Sequence, residues 1–327
     1  MNKELIAVAF SDTHFNDWPK FNANMSRTLN QIRALNLILG VCERRGIPAL
    51  FTGDFVHKPE TMSLVLFQTL NSYFHQSDRP YPKLPVVGIS GNHDMVYTNS
   101  LETPSPSWYR EFCKMCPSTF ICIDWDSYLI PGTDIRVHGV PYLDHNIGLN
   151  DWIKNLKLTK GERHILLLHT DYPGAKDTDG VEVGSVENLN TNLLDKFNLV
   201  LIGHIHKPQR LSKKVYMIGA TMQQRRTDKD CDLGYWEIFS DLSMRFHPLG
   251  DFPKFIDVTS EEDILDDGNY YTVVSKPIEV KEDVNNRVIS RDMSKKKIVR
   301  RYLREKGIKD SHRKRILLDI IKEASDD

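Results

Sequence analysis

Five uninterrupted apolar runs punctuate this chain, and each stops on residues that do not belong in a core. They lie at roughly 4–10 (ELIAVAF), 48–52 (PALFT), 84–89 (LPVVGI), 164–168 (HILLL) and 199–202 (LVLI). Short runs without polar alternation are the pattern of strands buried on both faces. Between the first three lie two helical stretches. RTLNQIRALNLILGVCERRG repeats apolar residues at helical spacing and stops at Gly46, and ETMSLVLFQTLNSYFHQ is apolar enough to pack on a sheet. The order strand, helix, strand, helix, strand predicts an α/β fold on a parallel sheet with right-handed crossovers. After residue 130 the pattern turns to short alternating runs, DIRVHGVPYL, VYMIGATM, GYWEIFS and SMRFHPL. These predict a second, more antiparallel sheet.

The residues at the end of each buried run are more specific. The first run ends in Asp12-Thr13-His14, the second in Gly53-Asp54 and the third in Gly91-Asn92-His93-Asp94. The fourth ends in His169 and the fifth in Gly203-His204-Ile205-His206. In open α/β sheets, ligands collect at the carboxyl ends of the strands. Asp12, His14, Asp54, Asn92, His169, His204 and His206 are therefore candidate metal ligands, too many for one transition metal and suited to two. A pair of divalent ions clamps a phosphoryl group and activates water. Mixed imidazole and oxygen donors favour Mn²⁺, with Fe or Zn as alternatives, over Mg²⁺. Each motif alone is weak, because D-x-H and G-D arise by chance; the ordered set carries the expectation. The competing reading is a scatter of loop polars and satisfied core histidines.

The order D-x-H, G-D, G-N-H-D, H, G-H-x-H resembles that of the calcineurin-like metallophosphoesterases over roughly residues 5–250. The resemblance implies a four-layer α/β/β/α sandwich, here with a small C-terminal region ending in helices. It implies that Asp12, His14 and His206 hold one metal, that Asn92, His169 and His204 hold the other, and that Asp54 bridges both. His93 would stand beside the scissile phosphate and protonate the leaving oxygen, with Asp94 orienting His93 by a hydrogen bond. One departure is informative. Many members continue G-D-x-x-D, whereas this chain reads Gly53-Asp54-Phe55-Val56-His57-Lys58-Pro59. That variant is similar to the DNA-processing SbcD branch, including bacteriophage versions, and implies that His57 assists chemistry at the phosphate. The alternative is a plain cap or surface histidine. GATMQQRRTDKDCDLGYWEIF (219–239) is similar to the segment closing the site in that branch. Arg225 and Arg226 within it would contact DNA phosphates, or else form a solvated charged hairpin.

Length and composition set the remaining bounds. The 327 residues, 27% charged and 40% apolar with net charge −1, suit one large soluble domain or two. The acidic stretch GDFPKFIDVTSEEDILDDGN suggests boundaries: a metallophosphoesterase domain over 1–250, a small cap or linker over 251–290, and a basic helical tail over 291–327. From Ser294 onward twelve Lys or Arg face six Asp or Glu. Ser311 is placed to cap a last helix carrying Ile316, Leu317, Ile320 and Ile321. Two short amphipathic helices need something to pack on. In SbcD-like proteins such a segment grips the coiled-coil root of the SMC-type ATPase SbcC; the alternative is packing on its own domain. The opening apolar run is broken at Asp12, and no run approaches the ~20 residues of a membrane span, so a cytoplasmic location is expected; the SbcD resemblance implies a bacterial or phage-infected cell. Cys113 and Cys116 form a C-x-x-C with Cys122 close behind, but no fourth zinc ligand comes after them, so reduced thiols are expected.

The expectation at this point is an Mn²⁺-dependent DNA nuclease subunit of an SbcCD-type recombination and repair complex, cleaving exo- or endonucleolytically, with DNA and an SbcC-like ATPase as partners. A homodimer through residues such as Trp108 or Tyr109 stays open. So do a small-molecule phosphodiesterase or phosphoprotein phosphatase on the same core, and a non-enzymatic scaffold subunit.

Overall fold

Side-chain alternation along the strands dictates the layering. In the computed structural model, which describes residues 3–18, 22–74, 84–97, 105–183 and 189–274, β1 (Leu5–Phe10) turns Val8 and Phe10 one way and Ala7 and Ala9 the other. Val8 and Phe10 meet α1 (Ser26–Arg45), whose Ile32, Leu35, Ile38 and Leu39 face the sheet. Arg44 and Arg45 in the last turn of α1 complement its dipole, and Gly46 ends it with φ +64°, its N–H returning to the last-turn carbonyls of Cys42 and Glu43. After β2 (Ala49–Phe51), α2 (Leu64–Phe74) covers the same face. Beyond β3 (Val86–Gly88), α3 (Trp108–Met115) adds Tyr109 and Phe112 before β4 (Phe120–Cys122). The pairs β1–β2, β2–β3 and β3–β4 are all parallel.

The chain then builds a second sheet from β5 (Ser127–Leu129), β6 (Ile135–Val140), β7 (Arg163–His169), β8 (Leu199–Gly203), β9 (Gln209–Arg210) and β10 (Val215–Met217). Its inner face sends Val137, Ile165, Leu167 and Leu201 against Ala7, Ala9, Leu50 and Val87 of the first sheet. Its outer face packs Leu166, Leu168, Val200 and Ile202 on Leu149 and Ile153 of α4 (Leu149–Asn155). The layers run helices, sheet, sheet, helix, the expected α/β/β/α sandwich. β11 (Gly234–Phe239) and β12 (Met244–Pro248) return to the first sheet, giving the order β12-β11-β1-β2-β3-β4 beside β5-β6-β7-β8-β10-β9.

Two expectations change here. The second sheet is mainly parallel rather than antiparallel, since β6, β7, β8 and β10 all run together and only the edge strands β5 and β9 oppose them. GYWEIFS and SMRFHPL belong to the other sheet. β11 has both faces buried, so it needs an interior place, and it finds one antiparallel to β1.

One compact unit runs through Val274 and includes β13 (Phe255–Val258) and β14 (Tyr270–Val273), a parallel pair of their own. The Arg27 guanidinium lies over both Phe255 and Tyr270 and joins this pair to α1. The expectations for the basic tail and its SbcC contact lie outside the described residues. Among the described residues, no helix is long and apolar enough to cross a membrane.

Candidate metal centre

The ends of β1, β2 and β3 in one sheet meet the ends of β7 and β8 in the other. The β1 and β2 ends are knitted by backbone bonds, Asp12 N–H to the Gly53 carbonyl at 3.0 Å and His14 N–H to the Asp54 carbonyl at 3.0 Å. Local backbone conformation is unusual. Of nine non-glycine residues with positive φ among those described, four are Asp12 (51°), His14 (45°), Asp54 (63°) and His204 (97°). Left-handed geometry costs such residues about 1–3 kcal/mol each, so the surroundings must impose it. Gln31 Nε2 does so by donating to the carbonyls of Thr13 (3.0 Å) and His14 (2.6 Å), and Gln224 Nε2 by donating to those of Asp12 and Thr13 (both 3.3 Å). Gly91 is required by close approach, because a β-carbon there would strike the Asp54 carboxylate. At Gly53 a β-carbon would stand 2.5 Å from His169 Nδ1, with the backbone at φ +103°.

Two donor groups result, with one carboxylate between them. The first is Asp12, His14 and His206, with His14 Nε2 3.2 Å from His206 Nε2 and 3.7 Å from Asp12 Oδ1. The second joins His169 and His204 to Asn92, whose Oδ1 is 2.9 Å from His169 Nε2 and 3.0 Å from His204 Nδ1. Asp54 Oδ2 lies 3.6 Å from His14 Nε2 and 3.3 Å from His169 Nε2, within reach of both groups. All seven expected ligands are therefore brought together.

The ring orientations are set by the atom that each Nδ1 touches. His169 Nδ1 faces the Thr52 carbonyl at 2.7 Å, and His206 Nδ1 faces Asp228 Oδ2 at 3.0 Å. Carbonyl and carboxylate oxygens only accept, so both Nδ1 atoms donate and both Nε2 atoms point into the centre. There His169 Nε2 confronts two oxygen acceptors and His206 Nε2 confronts another imidazole nitrogen. A proton or a cation is needed between His169 Nε2 and its two acceptors, whereas His206 Nε2 can accept from a neutral His14 Nε2–H. Burial lowers His14, but at Asp12, Asp54, His169 and His206 the charged partners outweigh it. Asp54 is held well below the usual carboxylate range by His169 and His14, and Asp12 is lowered by His14, His169 and His206. Asp54 lifts His169 to about 9. Asp228 raises His206 and is itself lowered to about 2 by it. Buried Asp12 Oδ1 has no hydrogen-bond partner. A convergent set of ionised carboxylates, an amide oxygen and inward imidazole nitrogens fits a pair of divalent cations.

His93 and His57 flank the first group. Their rings stack at 5.2 Å and 13°, with His14 4.8 Å from His93 and 5.5 Å from His57. Burial and the neighbouring His14 and His93 lower His57 to about 4. The expected Asp94–His93 hydrogen bond is replaced. His93 Nδ1 lies 2.7 Å from the His57 carbonyl, which fixes the ring and leaves Nε2 to the site. Asp94 turns back in its 3-10 turn and accepts from the backbone N–H groups of Asp54, Phe55, Val56 and Gly91 at 2.8–3.0 Å. Burial and the nearby Asp54 charge push its carboxyl up to about 8, against the pull of those amides. Its work is to hold the β2 loop on the β3 loop. Arg225 and Arg226 are engaged with protein carboxylates, Arg225 Nε with Asp228 Oδ1 at 3.4 Å and Arg226 Nε with Asp257 Oδ1 at 2.6 Å. A DNA contact would have to compete with these pairs.

Sequence reasoning missed two acids. Asp228, fully buried, orients His206 and also accepts from Gln224 N–H at 2.9 Å. Asp171 stands 3.4 Å from His204 Nε2 at the more open side. The only signal for Asp228 was its place in the 219–239 segment.

Comparison with known proteins agrees with this geometry. The chain is 27% identical over 205 residues to the protein named "Putative phosphoesterase 244L" from Invertebrate iridescent virus 6, covering 60% of this chain and 66% of that one. The family model for calcineurin-like phosphoesterases matches residues 7–208, more than half of the chain and a span holding all seven candidate ligands. The protein belongs to the calcineurin-like phosphoesterase family, whose chemistry is metal-dependent hydrolysis of phosphoesters.

Proposed function

We propose that this protein is the nuclease subunit of an SbcCD-type complex and hydrolyses DNA phosphodiesters, with Mn²⁺ as the cation. The observation that carries the reading is the His57–His93 stack on the flank of the first donor group. The family's common pattern has an acid where this chain has His57. An imidazole there brings a donor without the repulsion that a carboxylate would exert on a polyanion.

In this reading Asp12, His14 and His206 would hold one cation and Asn92, His169 and His204 the other, with Asp54 within reach of both groups. Bound cations supply charge neutralisation at the phosphoryl group and lower the pKa of water. The chain's own residues do the rest. The His93 backbone N–H donates to Asp54 Oδ1 at 2.8 Å and so turns Oδ2 toward the ligands. With Nδ1–H given to the His57 carbonyl, a protonated His93 presents Nε2–H to the departing oxygen. Asp94 keeps both loops in register for that transfer. A C-terminal contact with an SbcC-like ATPase, supported by the basic, amphipathic composition after Ser294, completes the proposal.

The test is cleavage of end-labelled single-stranded and duplex DNA in Mn²⁺ by wild type and His93→Ala in parallel. Wild type is expected to cleave, and the variant to lose about 10²–10⁴-fold, the range of a positioned acid. Robust cleavage by the variant contradicts the role of His93. Turnover of a cyclic nucleotide or a phosphopeptide with DNA untouched contradicts the nuclease assignment.

A further inference from the structure

Phe15, Trp18, His57, Lys58, Met62 and Leu66 line a cleft of about 210 Å³ beside the metal centre. It meets that centre through His57. His57 serves as its wall and as a ring neighbour of His14 and His93, and fully buried Phe15 comes directly after ligand His14. Trp18 is 57% exposed. Its backbone is tied to the centre, because Asn16 Oδ1 accepts from Trp18 N–H at 3.3 Å and Asn16 Nδ2 donates to the His14 carbonyl at 2.8 Å. Asp17 also lines the cleft, so its charge and that of Lys58 oppose each other. The cleft therefore offers aromatic and aliphatic walls without a net charge that would draw in a second phosphate.

A ligand with its phosphoryl group among the candidate metal ligands would reach this space past His57. The walls suit a flat, neutral heterocycle, and aromatic side chains bind nucleobases of any sequence by stacking. We propose that the cleft is a base subsite, taking the nucleobase attached to the phosphodiester under attack, with Trp18 as its stacking platform. The inference rests on the phosphodiesterase reading above and narrows it. A base held in the cleft is out of a duplex stack, so the substrate at the cut is single-stranded or a frayed end.

The experiment compares thymidine 5′-(p-nitrophenyl phosphate) with methyl p-nitrophenyl phosphate in Mn²⁺, for wild type, Trp18→Ala and Trp18→Phe. Both esters release p-nitrophenolate and differ only in nucleoside against methyl. Wild type is expected to favour the nucleoside ester about tenfold or more in kcat/KM, as one stacked base allows. Trp18→Ala is expected to bring that ratio near unity, and Trp18→Phe to restore most of it. A ratio unchanged by Trp18→Ala overturns the subsite. If wild type hydrolyses neither ester, the phosphodiesterase reading fails, and the subsite is decided by equilibrium binding of thymidine 5′-monophosphate to Mn²⁺-loaded protein. Binding about tenfold weaker in Trp18→Ala supports it, and equal binding overturns it.

Discussion

The two donor groups differ in how they are enclosed. Around Asp12, His14 and His206 the side chains are at most 10% exposed, and Asp228 behind His206 is fully buried. Across Asp54, His204 is 27% exposed and its acid, Asp171, 38%. One group is thus wholly interior and braced from behind, while the other keeps His169 buried and opens toward solvent at His204. A buried carboxylate fixes a ligand strongly because no water competes for the imidazole, whereas an exposed one is screened. The sealed group is suited to hold its cation permanently, and the open one to exchange cation and substrate.

The largest effect is expected where the groups meet. Asp54→Asn removes charge from both, and phosphoester hydrolysis should fall about 10³-fold or more in steady-state assays at saturating Mn²⁺. Retention of a tenth of the activity would mean that the carboxylate is not shared. Next comes the contrast itself. Asp228→Asn should weaken the tighter Mn²⁺ site about 10–100-fold in calorimetric titration, the usual cost of losing a carboxylate behind a histidine ligand. Asp171→Asn should change only the weaker site, and less than about tenfold. Equal losses from the two variants would erase the distinction between sealed and open groups.

The smallest effect concerns the outer brace. Asp257 on β13 pairs with Arg226 at 2.6 Å and Lys229 at 2.5 Å, which flank Asp228 in sequence. Hydrogen bonds from Arg226 and Lys229 lower the Asp257 carboxyl to about 2. A group whose folded pKa lies below its unfolded one stabilises above the unfolded value, about 4, and loses that contribution as pH falls toward 2. Asp257→Asn should therefore cost less than about 1 kcal/mol near neutrality, a cost that fades as pH falls through about 2, measured by denaturant titration. A cost undiminished at pH 2 would show that packing, not charge, is at stake.

The seven candidate ligands were legible in the sequence because each lies within four residues of the end of a buried strand, so that an apolar run and its polar stop come close together. Roles that depend on loop conformation were not. Asp94 adjoins His93 in the chain, yet the 3-10 turn at Asn92–Asp94 sends its carboxylate back to four backbone amides. Asp228 lies among charged residues in RRTDKDCD, and nothing local separates the one that is buried from those that are solvated. Sheet membership failed for a related reason. Alternation in GYWEIFS is shared by edge and interior strands, and only the pairing of Val8 with Glu237 and of Ala9 with Trp236 shows which sheet it joins.

The most direct test of a centre spanning both sheets is the number of Mn²⁺ ions bound per chain, measured by equilibrium dialysis against excess Mn²⁺. Two ions per chain in the wild type, with at least one lost in Asp54→Asn, is the predicted result. A wild-type content of one ion or none would contradict a two-cation centre organised around Asp54.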